Sequence, residues 1–157
     1  MVKINVVCVG KIKEKYFQDG ALEYIKRLSR FAKVNVVEIK ERNIVNEPNE
    51  SEILEILRRE GEDIKKELKG RLVCMAIEGK KVSSKSFASL IERAKNANGE
   101  ITFVVGGSYG IDKSVKNVCD ELVSFSDMTF PHTLYRVMLL EQIYRAFTIL
   151  EDGKYHK

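Results

Sequence analysis

Gly106-Gly107-Ser108-Tyr109-Gly110 closes the apolar run Ile101-Thr102-Phe103-Val104-Val105. Successive glycines let main-chain N–H and C=O groups approach a ligand without side-chain obstruction. An adenine needs such donors and acceptors together with an apolar wall, which Met75, Ile77, Met128 and Phe130 can supply. The spacing is not G-x-G-x-x-G and no Walker sequence is present, so neither phosphate-binding fingerprint applies, and a glycine turn read alone is also just a turn. A second stretch, Phe125-Ser126-Asp127-Met128-Thr129-Phe130-Pro131-His132, opens a long helix. Both histidines of the chain, His132 and His156, fall in this C-terminal third together with Arg136 and Tyr155. Each has a plainer reading. A histidine at a helix start bonds backbone, an arginine stays protonated and meets anions, and terminal residues such as Tyr155 and His156 fray in most proteins.

The elements that must hold these residues follow from periodicity. Val2 to Val9 predicts a first strand, Glu14 to Ser29 a helix, Val34 to Ile39 a second strand, and Ser51 to Leu68 a charged amphipathic helix with Gly61 as a weak point. Leu72 to Ile77 predicts a third strand with Glu78-Gly79-Lys80 turning out of it. Ser83 or Ser84 caps a helix to about Asn96, Ile101 to Val105 is the next strand, a short helix follows from Ile111-Asp112 to about Val118, and Leu122 to Phe125 is the last strand. Strands alternating with helices, several apolar on both sides, give an α/β domain with a mainly parallel sheet covered on both faces. Ligands gather at the carboxyl ends of such strands, where Glu78-Gly79, Gly106-Gly107 and Phe125 to Phe130 all fall.

The final helix, about Pro131 to Leu150, starts on a proline suited to a first turn and stops before Gly153. Leu134, Val137, Met138, Leu139, Leu140, Ile143, Tyr144, Ala146, Phe147, Ile149 and Leu150 occupy more than one stripe of it. It must therefore be buried against its own sheet and against something else, for which a second copy of the chain is the simplest partner. Glu141 and Arg145 stand four apart and can pair along it.

With 157 residues, 44% hydrophobic content and two prolines, the chain reads as one folded domain spanning 1–157. It has no apolar run long enough for a membrane span and no signal-peptide pattern, which places it in the cytoplasm. Cys8, Cys74 and Cys119 show no metal or redox spacing and read as small hydrophobes, so neither zinc nor a disulfide is expected. The net charge of +4 is unevenly spread: residues 1–37 carry eight basic and three acidic groups, residues 38–67 six and ten, residues 68–100 seven and three. A basic side built from Lys11, Lys13, Lys15, Lys80, Lys81 and Lys85 is one reading; ordinary solvated lysines are the other.

The order of Val9-Gly10-Lys11, Glu78-Gly79-Lys80, Gly106-Gly-Ser-Tyr-Gly110, Ser124-Phe-Ser-Asp-Met-Thr-Phe-Pro-His132, Arg136-Val, Glu141-Gln-Ile-Tyr-Arg-Ala146 and the ending Tyr155-His156-Lys157 resembles the ribosomal RNA large subunit methyltransferase H family. These are small knotted SPOUT methyltransferases, and the resemblance covers the whole chain. It implies a C-terminal trefoil knot over about 101–157, which periodicity alone would not suggest. It also implies S-adenosyl-L-methionine (SAM) held by Met75, Gly106, Phe125, Ser126, Asp127, Met128, Thr129 and Phe130, with methylation of N3 of a pseudouridine in 23S rRNA. Leucine usually stands where Met75 does, a swap of similar volume. By the same resemblance His156, Tyr155, Arg136 and His132 are the candidates for proton removal and substrate contact. The implied partners are a second copy of the chain, forming a homodimer, and 23S rRNA in the assembled 70S ribosome, with no DNA or membrane partner. Other readings are a knotted methyltransferase acting on tRNA or a ribose hydroxyl, a non-enzymatic ribosome-associated RNA-binding factor, and a flavodoxin-like nucleotide domain.

Overall fold

The first strand, β1 (Val2–Val9), is a run of mostly β-branched residues of which all but Lys3 are buried. Successive side chains of a strand point to opposite faces, so a strand this apolar must be covered on both. Ile4, Val6 and Cys8 pack into one hydrophobic cluster, while Val7 and Val9 pack into a second. The computed structural model describes residues 1–42 and 46–151. Around β1 it places α1 (Lys15–Leu28), β2 (Ala32–Ile39), α2 (Glu50–Lys65), β3 (Arg71–Lys81), α3 (Ser84–Ala97), β4 (Glu100–Val105), α4 (Lys113–Val118), β5 (Glu121–Ser124) and α5 (His132–Leu150).

The sheet runs β2-β1-β4-β3-β5, and every pairing is parallel. The α/β class and the cover of helices on both faces agree with the sequence reading. Leu28 of α1, Phe87 and Ile91 of α3, and Leu139, Leu140 and Ile143 of α5 join the larger cluster, whereas Ile64 of α2 and Val115 of α4 join the smaller. Parallel strands bring their carboxyl ends to one edge, so the turns after β3, β4 and β5 converge there.

Three local departures from the expected elements have physical reasons. Asn49 starts α2 one residue earlier than expected, through a capping box in which its side chain accepts from the Glu52 N–H and Glu52 reaches back to the Asn49 N–H. Gly61 in α2 is a packing site rather than a weak point: a Cβ there would lie 3.0 Å from Asp112 Cβ and 3.3 Å from Val115 Cγ2, so glycine lets α4 lie close. The largest departure is in β3, which does not end at Ile77. Met75 and Lys80 both sit opposite Val123, so residues 76–79 bulge out of the ladder before the strand resumes along β5. At Gly79 a Cβ would fall 2.6 Å from the Leu122 carbonyl carbon and the Val123 nitrogen, leaving room for no side chain where the bulge folds back.

Pro131 caps α5 from outside its first turn, its carbonyl accepting the Tyr135 N–H at 2.9 Å. No residue from His132 to Leu150 is exposed. Thr133, Arg136, Leu139, Leu140, Ile143, Ala146 and Phe147 are fully buried, and the rest are half-buried against α1, α3 and one another. The expected Glu141–Arg145 pair forms at 2.7 Å. Gly153, expected to stop the helix, lies outside the described residues.

Candidate functional site

The bulge of β3, the glycine turn after β4 and the turn after β5 enclose a cleft with two lobes that share Met75, Ala76, Ile77, Phe130 and Tyr135. One lobe, of 240 Å³, adds Glu78, Gly106, Gly107, Gly110, Lys116 and His132. The other, of 160 Å³, adds Ser124, Phe125, Ser126, Met128 and Thr129 and has no charged side chain in its lining.

Each wall is fixed by local chemistry. A Cβ on Gly106 would lie 2.6 Å from the Gly110 oxygen and 2.7 Å from Ile111 Cγ1, so the loop pinches shut only around glycine. Gly110 closes the loop at φ +95°, its N–H donating to the Gly107 carbonyl at 3.2 Å. In the turn after β5, the Ser124 hydroxyl donates to the Ser126 carbonyl at 2.9 Å and the Ser126 hydroxyl accepts the Met128 N–H at 3.0 Å. Phe125 stacks on Tyr135 with centroids 5.4 Å apart and meets the edge of Phe87 at 5.4 Å. Across the larger lobe, Lys116 donates to Glu78 at 2.5 Å, and this bond holds the Glu78 carboxyl below the usual range. Burial pushes the Tyr135 phenol well above its ordinary value, so it stays neutral.

Of the residues singled out from sequence, Met75, Gly106, Phe125, Ser126, Met128, Thr129, Phe130 and His132 are brought together around this cleft. Asp127 lines neither lobe; its carboxylate pairs with Lys81 at the outside of the turn. Arg136 was expected to meet phosphate or a substrate base, and it stands apart. Its side chain is 3% exposed, with Nη1 donating to Glu38 at 2.7 Å and Nη2 to the Gly10 carbonyl at 2.9 Å. It borders a separate 400 Å³ cavity with Lys11, Gln18 and Leu22. Tyr155 and His156 lie outside the described residues. Of the six lysines proposed for a basic side, all are exposed, but Lys15 pairs with Asp19 and Lys81 with Asp127.

Tyr135 and Lys116 were missed. Tyr135 had a signal, since it follows the helix cap by one turn and so returns to the face of Pro131. Lys116 had none, because nothing in the sequence tells that α4 leans over the β3 bulge. A larger cavity, 450 Å³, lies elsewhere, between α1, α3 and α5, lined by Tyr24, Val82, Phe87, Val137, Met138 and Gln142. Among the described residues there is no cluster of potential metal ligands and no helix long and apolar enough to cross a membrane.

A family model described as "Predicted SPOUT methyltransferase" matches residues 2–156. Proteins named ribosomal RNA large subunit methyltransferase H match nearly end to end. That of Caldicellulosiruptor saccharolyticus is 47% identical over 98% of this chain and 99% of its own length. That of Streptococcus equi subsp. zooepidemicus is 42% identical over 99% and 100%. Among solved structures, a probable methylase family protein from Haemophilus influenzae Rd KW20 superposes with a TM-score of 0.57 at 12% identity, covering 98% of this chain and 70% of that one. At that identity the likeness concerns the fold alone.

Proposed function

Since the chain belongs to the SPOUT methyltransferase family, we propose that it methylates N3 of a pseudouridine in large-subunit (23S) rRNA, with SAM as methyl donor. The cleft is the observation that carries the reading. An apolar slot beside two glycines and a hydrogen-bonded turn suits a flat purine, and a polar lobe next to it suits the remainder of the donor. Met75, Ile77, Met128 and Phe130 hold the faces of the ring. Main-chain groups at Met75, Gly106, Phe125, Ser126, Met128, Thr129 and Phe130 serve its edge and the ribose, while Asp127 holds the turn from outside through Lys81. The rRNA class is supported by relatives named ribosomal RNA large subunit methyltransferase H, matched over 99–100% of their length.

When bound, the donor's sulfonium supplies an already activated methyl group. The chain's own task is to align the acceptor and to favour its deprotonated nitrogen. An imide N–H is a weak acid, so losing its proton near neutral pH needs a base or a nearby positive group. His132 stands at the edge of the cleft, and Tyr155 and His156 in the tail complete the set, with His156 assisting proton removal or orienting the base. Arg136, committed to Glu38 and Gly10 away from the cleft, anchors the first turns of α5 that carry His132. Truncation after Lys154 is expected to abolish turnover while cofactor binding remains; a fully active truncated enzyme would remove the tail from the mechanism.

A homodimer belongs to the same reading, supported by the half-buried apolar outer side of α5 and the 450 Å³ groove beside it. A trefoil knot over about 101–157 belongs to it through family membership. The assembled 70S ribosome is the substrate in this reading, with neighbouring RNA and protein surfaces adding to the specificity of the cleft. The test is methyl transfer from labelled SAM to intact ribosomes lacking the modification, to free subunits and to naked rRNA, with the nucleoside identified by mass spectrometry. Methylated pseudouridine on intact ribosomes supports the assignment. Transfer to tRNA alone would keep the cofactor and overturn the substrate.

A further inference from the structure

We infer that Glu78 and Lys116 recognise the methionyl end of the donor, Glu78 taking its ammonium group and Lys116 its carboxylate. The inference rests on the SAM reading of the cleft and adds what the larger lobe selects. The two lobes differ in charge: the smaller has no charged lining residue, whereas the larger has a carboxylate and an ammonium facing each other. SAM divides in the same way, into a neutral adenosyl end and a zwitterionic amino-acid end. A phosphate-bearing ligand would meet Glu78 unfavourably, and a neutral one would leave both charges without purpose. A zwitterion matches both signs.

The pair is also built to open. Its partners come from two independent elements, the β3 bulge and α4, 38 residues apart in the chain. Glu78 is 51% exposed and Lys116 27% exposed, so their bond is a solvated one of small net worth. Inserting an ammonium and a carboxylate between them leaves each charge with an opposite partner, so no buried charge is stranded. The bulge supplies the reason for the geometry. Had β3 continued in register after Met75, residues 76–79 would have stayed in the ladder; looped out, with Gly79 folding back over β5, they bring Glu78 to the lobe opposite α4.

Titration calorimetry with S-adenosylhomocysteine and with 5′-methylthioadenosine, which lacks the amino-acid group, tests this on the purified protein. The wild type is expected to bind S-adenosylhomocysteine more tightly. Glu78→Gln and Lys116→Met are each expected to weaken S-adenosylhomocysteine about tenfold, equivalent to about 1.4 kcal/mol, while methylthioadenosine stays within about twofold. The exchange Glu78→Lys with Lys116→Glu keeps an ion pair but reverses its direction. It is expected to preserve the melting temperature and methylthioadenosine binding and to lose the preference for S-adenosylhomocysteine. Equal wild-type affinity for the two ligands, or parallel weakening of both in the variants, overturns the inference and leaves the cofactor reading intact. If the wild type binds neither ligand, the cofactor reading falls and the inference falls with it.

Discussion

The carboxyl edge of the sheet has two ends that use polar groups in opposite ways. At the β3–β5 end, glycines and a short turn present main chain to a two-lobed cleft, and the Glu78–Lys116 pair in its wall is solvated. At the β1–β2 end, polar groups are committed to one another. Arg136 holds Glu38 and the Gly10 carbonyl, Arg42 holds Asp63 at 2.9 Å, and Ser108 holds Glu41 at 3.2 Å. The helix α5 serves both ends within one turn, through His132 and Tyr135 on one side and Arg136 on the other. A parallel sheet offers its whole edge to ligands, yet it is the β3–β5 end that leaves an open cleft walled by main chain and a solvated ion pair. At the other end the charged groups are tied to one another, and the edge is a clamp.

Breaking the clamp should cost the most stability. Glu38→Ala leaves a buried guanidinium without its counter-charge, a change worth about 3 kcal/mol, or a melting temperature lower by roughly 6–12 °C for a chain of this size. The double variant with Arg136→Met, which removes both charges, is expected to recover much of that loss. Binding of S-adenosylhomocysteine should survive in both. If Glu38→Ala leaves the melting temperature unchanged and abolishes binding, the division between the two ends is wrong.

The cleft should respond in the opposite proportion. Gly106→Ala forces a Cβ to within 2.6 Å of the Gly110 oxygen, an overpacking cost of about 1–3 kcal/mol, and it opens the loop that presents the main chain. Loss of S-adenosylhomocysteine binding is expected to exceed the loss of stability. Gly107→Ala is the graded control, because its Cβ would meet only the Val9 side chain, at 3.0 and 3.2 Å, a milder overlap than the backbone clash at Gly106. Calorimetry beside thermal melts of the two variants gives the ratio directly; equal effects on binding would mean that the loop's shape does not matter to the ligand.

The contrast between the ends also explains what could be read in the sequence. The glycine turn and Phe125 to Phe130 were legible, because main-chain presentation needs glycine and a short turn, and both leave local marks. So were β1 and the all-round apolar character of α5, since burial on both sides writes a continuous apolar run. Arg136 was misjudged in its surroundings. Its partners Glu38 and Gly10 lie 98 and 126 residues away, and no local pattern reports a contact across that distance. The β3 bulge was hidden for a similar reason: Met75 and Lys80 share one partner on β5, a fact of register between strands that the period of a single strand does not contain. Lys116 became part of the cleft only through that bulge.

Glu60 gives the finest test of the idea that charges at the β1–β2 end are matched, because it is buried there beside a backbone N–H rather than a cation. The residue is 4% exposed, and it accepts the Arg42 backbone N–H at 3.0 Å. Burial raises its carboxyl above the ordinary value, outweighing the backbone bond. An acid raised in the folded state gives up its proton later than in the unfolded chain. Ionisation therefore favours unfolding as pH rises from the unfolded value of about 4.3, and the loss is complete above the folded value. Glu60→Gln keeps an acceptor for the Arg42 N–H and removes that ionisation. The variant is expected to melt above the wild type at pH 7 and level with it near pH 4. Thermal melts at the two values decide it. An advantage equal at both would assign the change to packing, and a variant less stable at pH 7 would mean that the Glu60 charge is matched after all, joining it to the clamp.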